Sequence, residues 1–357
     1  MNLLMLSVGR RGELMKFFKA SLGDGSRIIA TDNSPYAPAL YFADKQYIVP
    51  KINDPVYIDT ILHICEVEKI RAVTTFIDPE ILILSMNRDK FEAIGVEVLA
   101  PYVETAKLCF DKYEMFKYLS AKGVKTIRTW GSFEETDRAI ENGIVHFPVF
   151  VKPRTGSGSV GARKVYDRET LRVAFEQDQG LIAQELMTGE ENFDLDADIY
   201  IDTFTHKPVS IFTKKKLSTT IGGANKTISF KDVKLFEYIM DVLQYFEFNG
   251  PIDADFFYKN GEYYLSEINP RFGGAYLHAY GAGVDFIKLI ANNLEGNINH
   301  SCIGQYEEDI VMMMYDSVVI GKATTFVLSF KTATALLAVV LAFGPSPVVV
   351  TPAKPKS

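Results

Sequence analysis

The chain of 357 residues is 47% hydrophobic and 23% charged, the balance of a globular protein long enough to bury two or three cores. Its formal net charge of −7 gives no general electrostatic reason to bind nucleic acid or an anionic membrane, and leaves small molecules as the expected partners. Three widely spaced cysteines, Cys65, Cys109 and Cys302, make neither a disulfide framework nor a CxxC zinc pattern, so a reducing cytoplasm is the expected setting.

The first nine residues lack the charged start, long apolar run and small-residue cleavage site of a signal peptide, and read as a buried strand. Apolar runs at 2–8, 27–31, 46–49, 72–76 and 96–99 alternate with helical stretches at 11–21, 57–68 and 79–94, which predicts a parallel sheet covered by helices. Ligands of such sheets sit at the carboxyl ends of the strands, here Gly9-Arg10-Arg11, Asp32-Asn33 and Phe76-Ile77-Asp78-Pro79-Glu80. Gly9-Arg10-Arg11-Gly12 is not the dinucleotide fingerprint GxGxxG, and without it Asp32 reads as a strand-end cap or turn residue. Arg10 and Arg11 directly follow the first strand, where a guanidinium can hold a carboxylate; the alternative is a solvent-facing helix start paired with Glu13.

From Thr105 the texture changes. A helix carrying Asp111-Lys112-Tyr113-Glu114 opens a small α/β unit, and a second α+β portion follows it, giving an expected division at 1–104, 105–185, 186–321 and 322–357. The apolar run 323–343 raises a membrane question, against which stand Lys331 at its middle and the soluble character of the rest; no membrane partner is expected. Residues 344–357, rich in proline and lysine, read as a disordered tail.

Three stretches carry chemistry. Phe147-Pro148-Val149-Phe150-Val151-Lys152-Pro153 runs into a loop with Gly156, Ser157, Gly158, Ser159 and Gly161. A strand-borne lysine followed by unobstructed backbone N–H groups suits a polyphosphate, although this is not a Walker A loop. Leu181-Ile182-Ala183-Gln184-Glu185-Leu186 reads as a strand entering a hinge, where backbone near Glu185 and Leu186 can pair with an adenine edge; an ordinary strand and turn is the bland alternative. Asp253-Ala254-Asp255-Phe256-Phe257-Tyr258 and Tyr263-Tyr264-Leu265-Ser266-Glu267-Ile268-Asn269-Pro270-Arg271, joined through Asn260-Gly261, read as a β-hairpin. Period-two alternation puts Glu267 and Asn269 on one face with Asp255 able to pair opposite, an oxygen set suited to Mg²⁺, and Arg271 just beyond could reach a transferring phosphoryl group.

Taken in order, Lys112, the Lys152 strand with its loop, Gln184-Glu185-Leu186 with Gly189-Glu190-Glu191, and Asp255 with Glu267-Ile268-Asn269-Pro270-Arg271 resemble the ATP-grasp superfamily over roughly residues 1–320. Within it, Gly9-Arg10-Arg11-Gly12-Glu13-Leu14, Thr31-Asp32-Asn33 and Asp78-Pro79-Glu80 look most like stand-alone relatives of the carbamoyl-phosphate synthase large subunit and of the ligase of pyrrolysine biosynthesis. The resemblance implies an amino-terminal parallel α/β domain followed by a two-lobed α+β ATP-grasp domain. It also implies ATP with Mg²⁺, or Mn²⁺ in its place, bound by Asp255, Glu267 and Asn269, with Lys112 and Lys152 on the nucleotide, the Gly/Ser loop over its phosphates and Arg271 at the acyl-phosphate transition state. Lys216 stands where relatives often carry a base facing the phosphates, with Lys214 as its rival, and one extra residue leaves Glu190 and Glu191 as alternative ribose ligands. The activity implied is a ligase that activates a carboxylate as an acyl phosphate for attack by an amine, and a homodimer is common in the family. The rivals are a carbamoyl-phosphate synthase-like subunit acting on bicarbonate and a nucleotide-binding protein without turnover.

Overall fold

A computed structural model describes residues 1–156, 161–187, 193–220 and 223–321, together with the backbone of Val349–Val350. Its first sheet holds Asn2–Leu6, Arg27–Asp32, Lys45–Ile48, Ala72–Thr75 and Glu97–Val98 in parallel, in the spatial order third, second, first, fourth, fifth. Helices cover both faces, which is why Ala72–Thr75 is buried at every residue and why these strands read as continuous apolar runs. Val349–Val350 pairs antiparallel along the outer edge of Lys45–Ile48.

The expected helix over 79–94 is two helices, Asp78–Met86 and Arg88–Glu92. Asn87 interrupts them with φ −111° and ψ 12°, and its Nδ2 donates to the Ile83 carbonyl. A short amide side chain competing for a backbone carbonyl is the local chemistry that ends a helix and that an apolar pattern does not reveal.

Two antiparallel sheets follow. The smaller contains Thr129–Trp130, Leu181–Glu185, Val149–Pro153 and Arg163–Val165 in that spatial order. The larger runs Glu262–Asn269, Gly250–Lys259, Phe193–Ile201, Pro208–Thr220, Gly223–Ser229 and Val311–Met313. Its hairpin turns at Asn260 and Gly261, both at positive φ (53° and 83°), the conformation that favours an Asn-Gly pair. The architecture is the parallel α/β unit followed by two-lobed α+β structure that the sequence predicted.

Alternation along the larger sheet sorts its faces. Leu195, Ala197, Ile199, Ile252, Ala254 and Phe256 turn to one side and bury against Leu235, Ile239 and Val242 of the helix Val233–Leu243. The opposite side carries Asp194, Asp196, Asp198, Lys214, Lys216, Asp253, Asp255, Glu267 and Asn269, and faces the first sheet and the smaller sheet. A shared aromatic seam fixes the first unit against the end of the hairpin: Phe18 stands 4.8 Å and Phe76 6.1 Å from Phe272, which stands 4.9 Å from Tyr276. Deleting one buried ring of this kind costs about 3–5 kcal/mol, so the seam holds the two units in one arrangement. No helix among the described residues is long and apolar enough to cross a membrane. The apolar run 323–343 lies outside the described residues, as does the tail 344–357 apart from the backbone of Val349–Val350.

Candidate functional site

The charged face of the larger sheet is organised by register. Lys214 lies opposite Asp196, Asp196 opposite Asp255, and Asp255 opposite Glu267, a row crossing four strands; one step along, Asp198 faces Asp253 and Asp253 faces Asn269. Asp255, Glu267 and Asn269 therefore converge as the alternation predicted. Their donors are all oxygens, the set a hard divalent cation takes, and Asn269 turns its Nδ2 toward Asp253 (3.3 Å), which frees its Oδ1.

Lysines from three separate elements meet these carboxylates. Lys216 Nζ sits 2.5 Å from Asp255 and 3.1 Å from Asp194, while Lys112 and Lys152 stand 3.8 and 3.9 Å from Glu267. Burial pushes Glu267 up, but Lys152 and Lys112 outweigh it and hold the carboxyl below its ordinary range. Burial likewise pulls the Lys152 ammonium down, against Glu267. Lys112 owes its place to Asp111, the N-cap of Lys112–Ala121, whose side chain accepts from the N–H groups of Tyr113 and Glu114 and also binds Arg154 at the base of the Gly/Ser loop. Lys112 Nζ donates to the Gly156 carbonyl at 2.6 Å. Strand lysine, helix lysine and loop mouth thus surround one point.

Lys214 and Lys216 differ in burial and in partners. Lys214 is wholly buried, held between Asp196 (3.1 Å) and Asp198, and its charge balances carboxylates inside the protein. Lys216 stays partly exposed, between Asp194 and Asp255. Asp196, Asp198 and Asp253 crowd together: burial and mutual repulsion raise Asp253 well above its ordinary value, and burial carries Asp198 to about 6 in spite of Lys214. Gly273 packs against this cluster, where a Cβ would stand 2.5 Å from Asp253 Oδ1 and 2.9 Å from Asp198 Oδ1, so no larger residue fits there without displacing the carboxylates.

Arg271 is not free. Its Nε donates to Asp78 at 2.8 Å and its Nη1 stands 3.5 Å from Asp253, so an aspartate of the first unit and one of the hairpin hold it jointly. A narrow cleft lies beside this pair, lined by Asp78, Cys109, Lys112, Gly156, Glu267 and Asn269. Burial pushes the Cys109 thiol far up, which leaves it a poor nucleophile.

The hinge residues stand apart from this cluster. Gln184 is buried, its Nε2 donating to Thr129 Oγ1, and Glu185 pairs with Arg128 (2.7 Å) and Lys259 (2.7 Å) while Leu186 follows the strand. Gln184 thus braces the smaller sheet and Glu185 ties it to the hairpin of the larger one through Lys259, which leaves the backbone at Leu186 as the candidate nucleotide contact. Gly161 lies at the far end of the loop. Ser157, Gly158, Ser159, Glu190 and Glu191 lie outside the described residues. Asp32 is a turn residue, accepting from the N–H groups of Gly9 and Ser34. Sequence reasoning passed over Asp78 as the partner of Arg271, and over Asp194, Asp196, Asp198 and Asp253; the signal was present as the alternating run Asp194-Leu195-Asp196-Ala197-Asp198 beside Asp253-Ala254-Asp255.

Residues 3–99 match the family described as PylC-like, N-terminal domain, and residues 109–275 match the ATP-grasp domain. The chain is 29% identical over 223 residues to a D-alanine–D-alanine ligase of Campylobacter concisus, covering 57% of this chain and 62% of that one. It is 25% identical over 227 residues to the D-alanine–D-alanine ligase of Nitratiruptor sp., covering 58% and 64%. The chain thus spans less than two thirds of the length of these relatives. Among solved structures it resembles N5-carboxyaminoimidazole synthetase from Staphylococcus aureus complexed with ADP, with a TM-score of 0.70 at 17% identity over 94% of this chain and 86% of that one. Biotin carboxylase from Campylobacter jejuni matches with a TM-score of 0.63 at 18% identity over 84% and 72%. The chain thus carries a PylC-like amino-terminal domain followed by an ATP-grasp domain.

Proposed function

We propose that this ATP-grasp chain is an ATP- and Mg²⁺-dependent ligase, which activates a carboxylate as an acyl phosphate and joins it to an amine. The observation that carries the reading is the convergence of Asp255, Glu267 and Asn269 with Lys112, Lys152 and Lys216, beside a cleft lined by Lys112, Glu267, Asn269 and Asp78, the partner of Arg271. Relatives that bear the name D-alanine–D-alanine ligase point to an amino acid as the acid.

A carboxylate is a poor electrophile, and phosphoryl transfer makes it a good one. One carboxylate oxygen forms a bond to the γ-phosphorus, the bond from that phosphorus to the β–γ bridging oxygen breaks, and ADP leaves with the electron pair. The amine nitrogen then attacks the carbonyl carbon, inorganic phosphate leaves, and the nitrogen loses its proton to solvent. Catalysis here is positioning and neutralisation of charge on the phosphoryl oxygens, so no protein nucleophile is required. Lys152 and Lys112, already facing Glu267, are placed to turn to the phosphates, and Lys216 to share its charge between Asp255 and the γ-phosphate. Asp255, Glu267 and Asn269 would hold Mg²⁺, which would supply further positive charge to those phosphates.

The test is phosphate release from MgATP across the L-amino acids, their D-enantiomers and bicarbonate, each with and without an amine acceptor, and mass detection of the product. Release dependent on one acid and one amine, with an amide as product, is expected. Stimulation by bicarbonate alone moves the reading to the carbamoyl-phosphate synthase-like alternative. ATP binding without turnover on the whole panel overturns it.

A further inference from the structure

In a sheet ordered third, second, first, fourth, fifth, the chain reverses direction between the first and fourth strands, and the crevice at their carboxyl ends is where such sheets bind ligands. Two loops line it. The first carries Arg10 and Arg11, the second Phe76 and Asp78, and Arg271 closes it from the hairpin side. The two adjacent arginines differ sharply: Arg10 is exposed, whereas Arg11 is drawn in over the Phe76 ring, 5.2 Å from its centroid.

The Arg11 side chain makes no hydrogen bond or ion pair with any of the described residues. The acid nearest in sequence, Glu13, is taken by Lys16 at 2.6 Å. The two carboxylates whose fields reach Arg11, Asp78 and Asp253, are both engaged by Arg271. Burial and the neighbouring Arg271 bring the Arg11 guanidinium down to about 10. A largely enclosed cation without a counter-ion is unfavourable, and an anion entering the crevice removes the cost. A guanidinium laid on an aromatic face keeps its N–H edge for a planar, two-oxygen acceptor.

We infer that Arg11 is the anchor for the carboxylate that is to be activated, a role that rests on the ligase reading above. The chemistry requires such a group: an anionic carboxylate must approach an anionic triphosphate, and a fixed cation behind the carboxylate offsets the repulsion without forming a bond to phosphorus. Arg271, held by Asp78 and Asp253, stays on the phosphoryl side, and Arg11 binds the acid on the side of the first unit. The acid bound is small and its carboxylate is presented to Arg11 with both oxygens, as in an amino acid.

The experiment compares wild type with Arg11→Met, Arg11→Lys and Arg10→Met in steady-state phosphate release, using whichever acid of the amino-acid and bicarbonate panel stimulates the wild type. Arg11→Met raises the acid's KM by about 30-fold or more while that for ATP stays within about twofold; Arg11→Lys, which keeps the charge and loses the fork, falls between; Arg10→Met matches wild type. An unchanged melting temperature and ATP KM in Arg11→Met exclude misfolding as the cause. The assignment is overturned if the acid's KM stays within twofold in Arg11→Met, if the ATP KM rises in parallel, or if only the KM of the amine acceptor moves. If no acid stimulates the wild type, the ligase reading fails first, visibly and without any variant, and this assignment fails with it.

Discussion

Asp255 stands directly opposite Glu267 in the hairpin register, yet the two carboxyls are driven in opposite directions. Burial raises both, but Lys152 and Lys112 hold Glu267 below its ordinary value, whereas burial together with Asp196 and Glu267 carries Asp255 to about 7 despite Lys216. Glu267 is thus the permanently charged member of the pair, and the lysines beside it are positioned by that charge.

Glu267→Gln removes the charge and keeps the shape. Phosphate release at saturating substrates is expected to fall by at least about 100-fold, since a lost ligand exceeds the effect of losing an outer-shell partner. Release at the wild-type rate would show that Glu267 holds no metal.

Lys152→Ala removes the charge proposed to meet the phosphates and should weaken MgATP binding by about 1–3 kcal/mol in calorimetric titration. The fold should survive, because Lys152 lies at the cleft rather than in the Val149–Val151 core of the smaller sheet. Unchanged nucleotide affinity would contradict the phosphate-loop reading.

Lys214 and Lys216 are two residues apart on one strand and should fail in different ways. Lys214→Met strands Asp196 and Asp198 without their counter-ion, and a loss of about 3–5 kcal/mol in denaturant unfolding is expected, the range for breaking a buried pair. Lys216→Met should cost less stability, because the pair stays partly exposed, but should lower kcat at saturating ATP. Equal stability loss in both variants would contradict the division drawn between them.

His278 sits buried with Nε2 donating to the Ile310 carbonyl (2.9 Å), so that in the neutral ring Nδ1 accepts from Thr227 Oγ1 (2.7 Å). Burial, and then Lys214, lower it to about 4. The folded-state value lies below the unfolded one of about 6.5, so its contribution to stability is intact above that pH and is lost as pH falls toward 4, by at most about 1.4 kcal/mol per pH unit. Between those limits the melting temperature of His278→Gln should fall less steeply than that of wild type. Parallel curves would show that His278 does not set this dependence.

The parallel sheet was legible because strands buried on both faces leave continuous apolar runs, and the hairpin because Asn260-Gly261 announces its turn while Glu267 and Asn269 keep period two. The break at Asn87 was not, since a side chain bonding back to the Ile83 carbonyl leaves the apolar pattern intact. The aspartates of Phe193–Ile201 were legible only in part. Their alternation marks a polar face, but whether that face meets solvent or a buried lysine depends on the register of the neighbouring strand, which sets Lys214 opposite Asp196. The same limit hid the partner of Arg271, since Asp78 lies 193 residues away and is brought in by the aromatic seam.

The Asp78–Arg271 pair supplies the last prediction. Arg271 carries the only side-chain bonds described between the Asp78 loop and the hairpin end, and its charge is fixed in place by two carboxylates rather than by one. Asp78→Asn keeps the size of the side chain and removes the charge, so Arg271 is left to Asp253 at 3.5 Å and can swing toward the acidic cluster behind it. An arginine displaced by an ångström no longer meets the phosphoryl oxygens where charge develops, whereas ATP, gripped by Lys112 and Lys152, binds as before. The expected result is a kcat lowered by about 10-fold to 100-fold with the ATP KM within twofold, the pattern for an interaction made in the transition state. Asp78→Glu, which restores the charge at a longer reach, should recover part of the rate. Wild-type kcat in Asp78→Asn, or a rise confined to the ATP KM, would place Arg271 away from the transferring phosphoryl group and make the pair a structural tie between the two units.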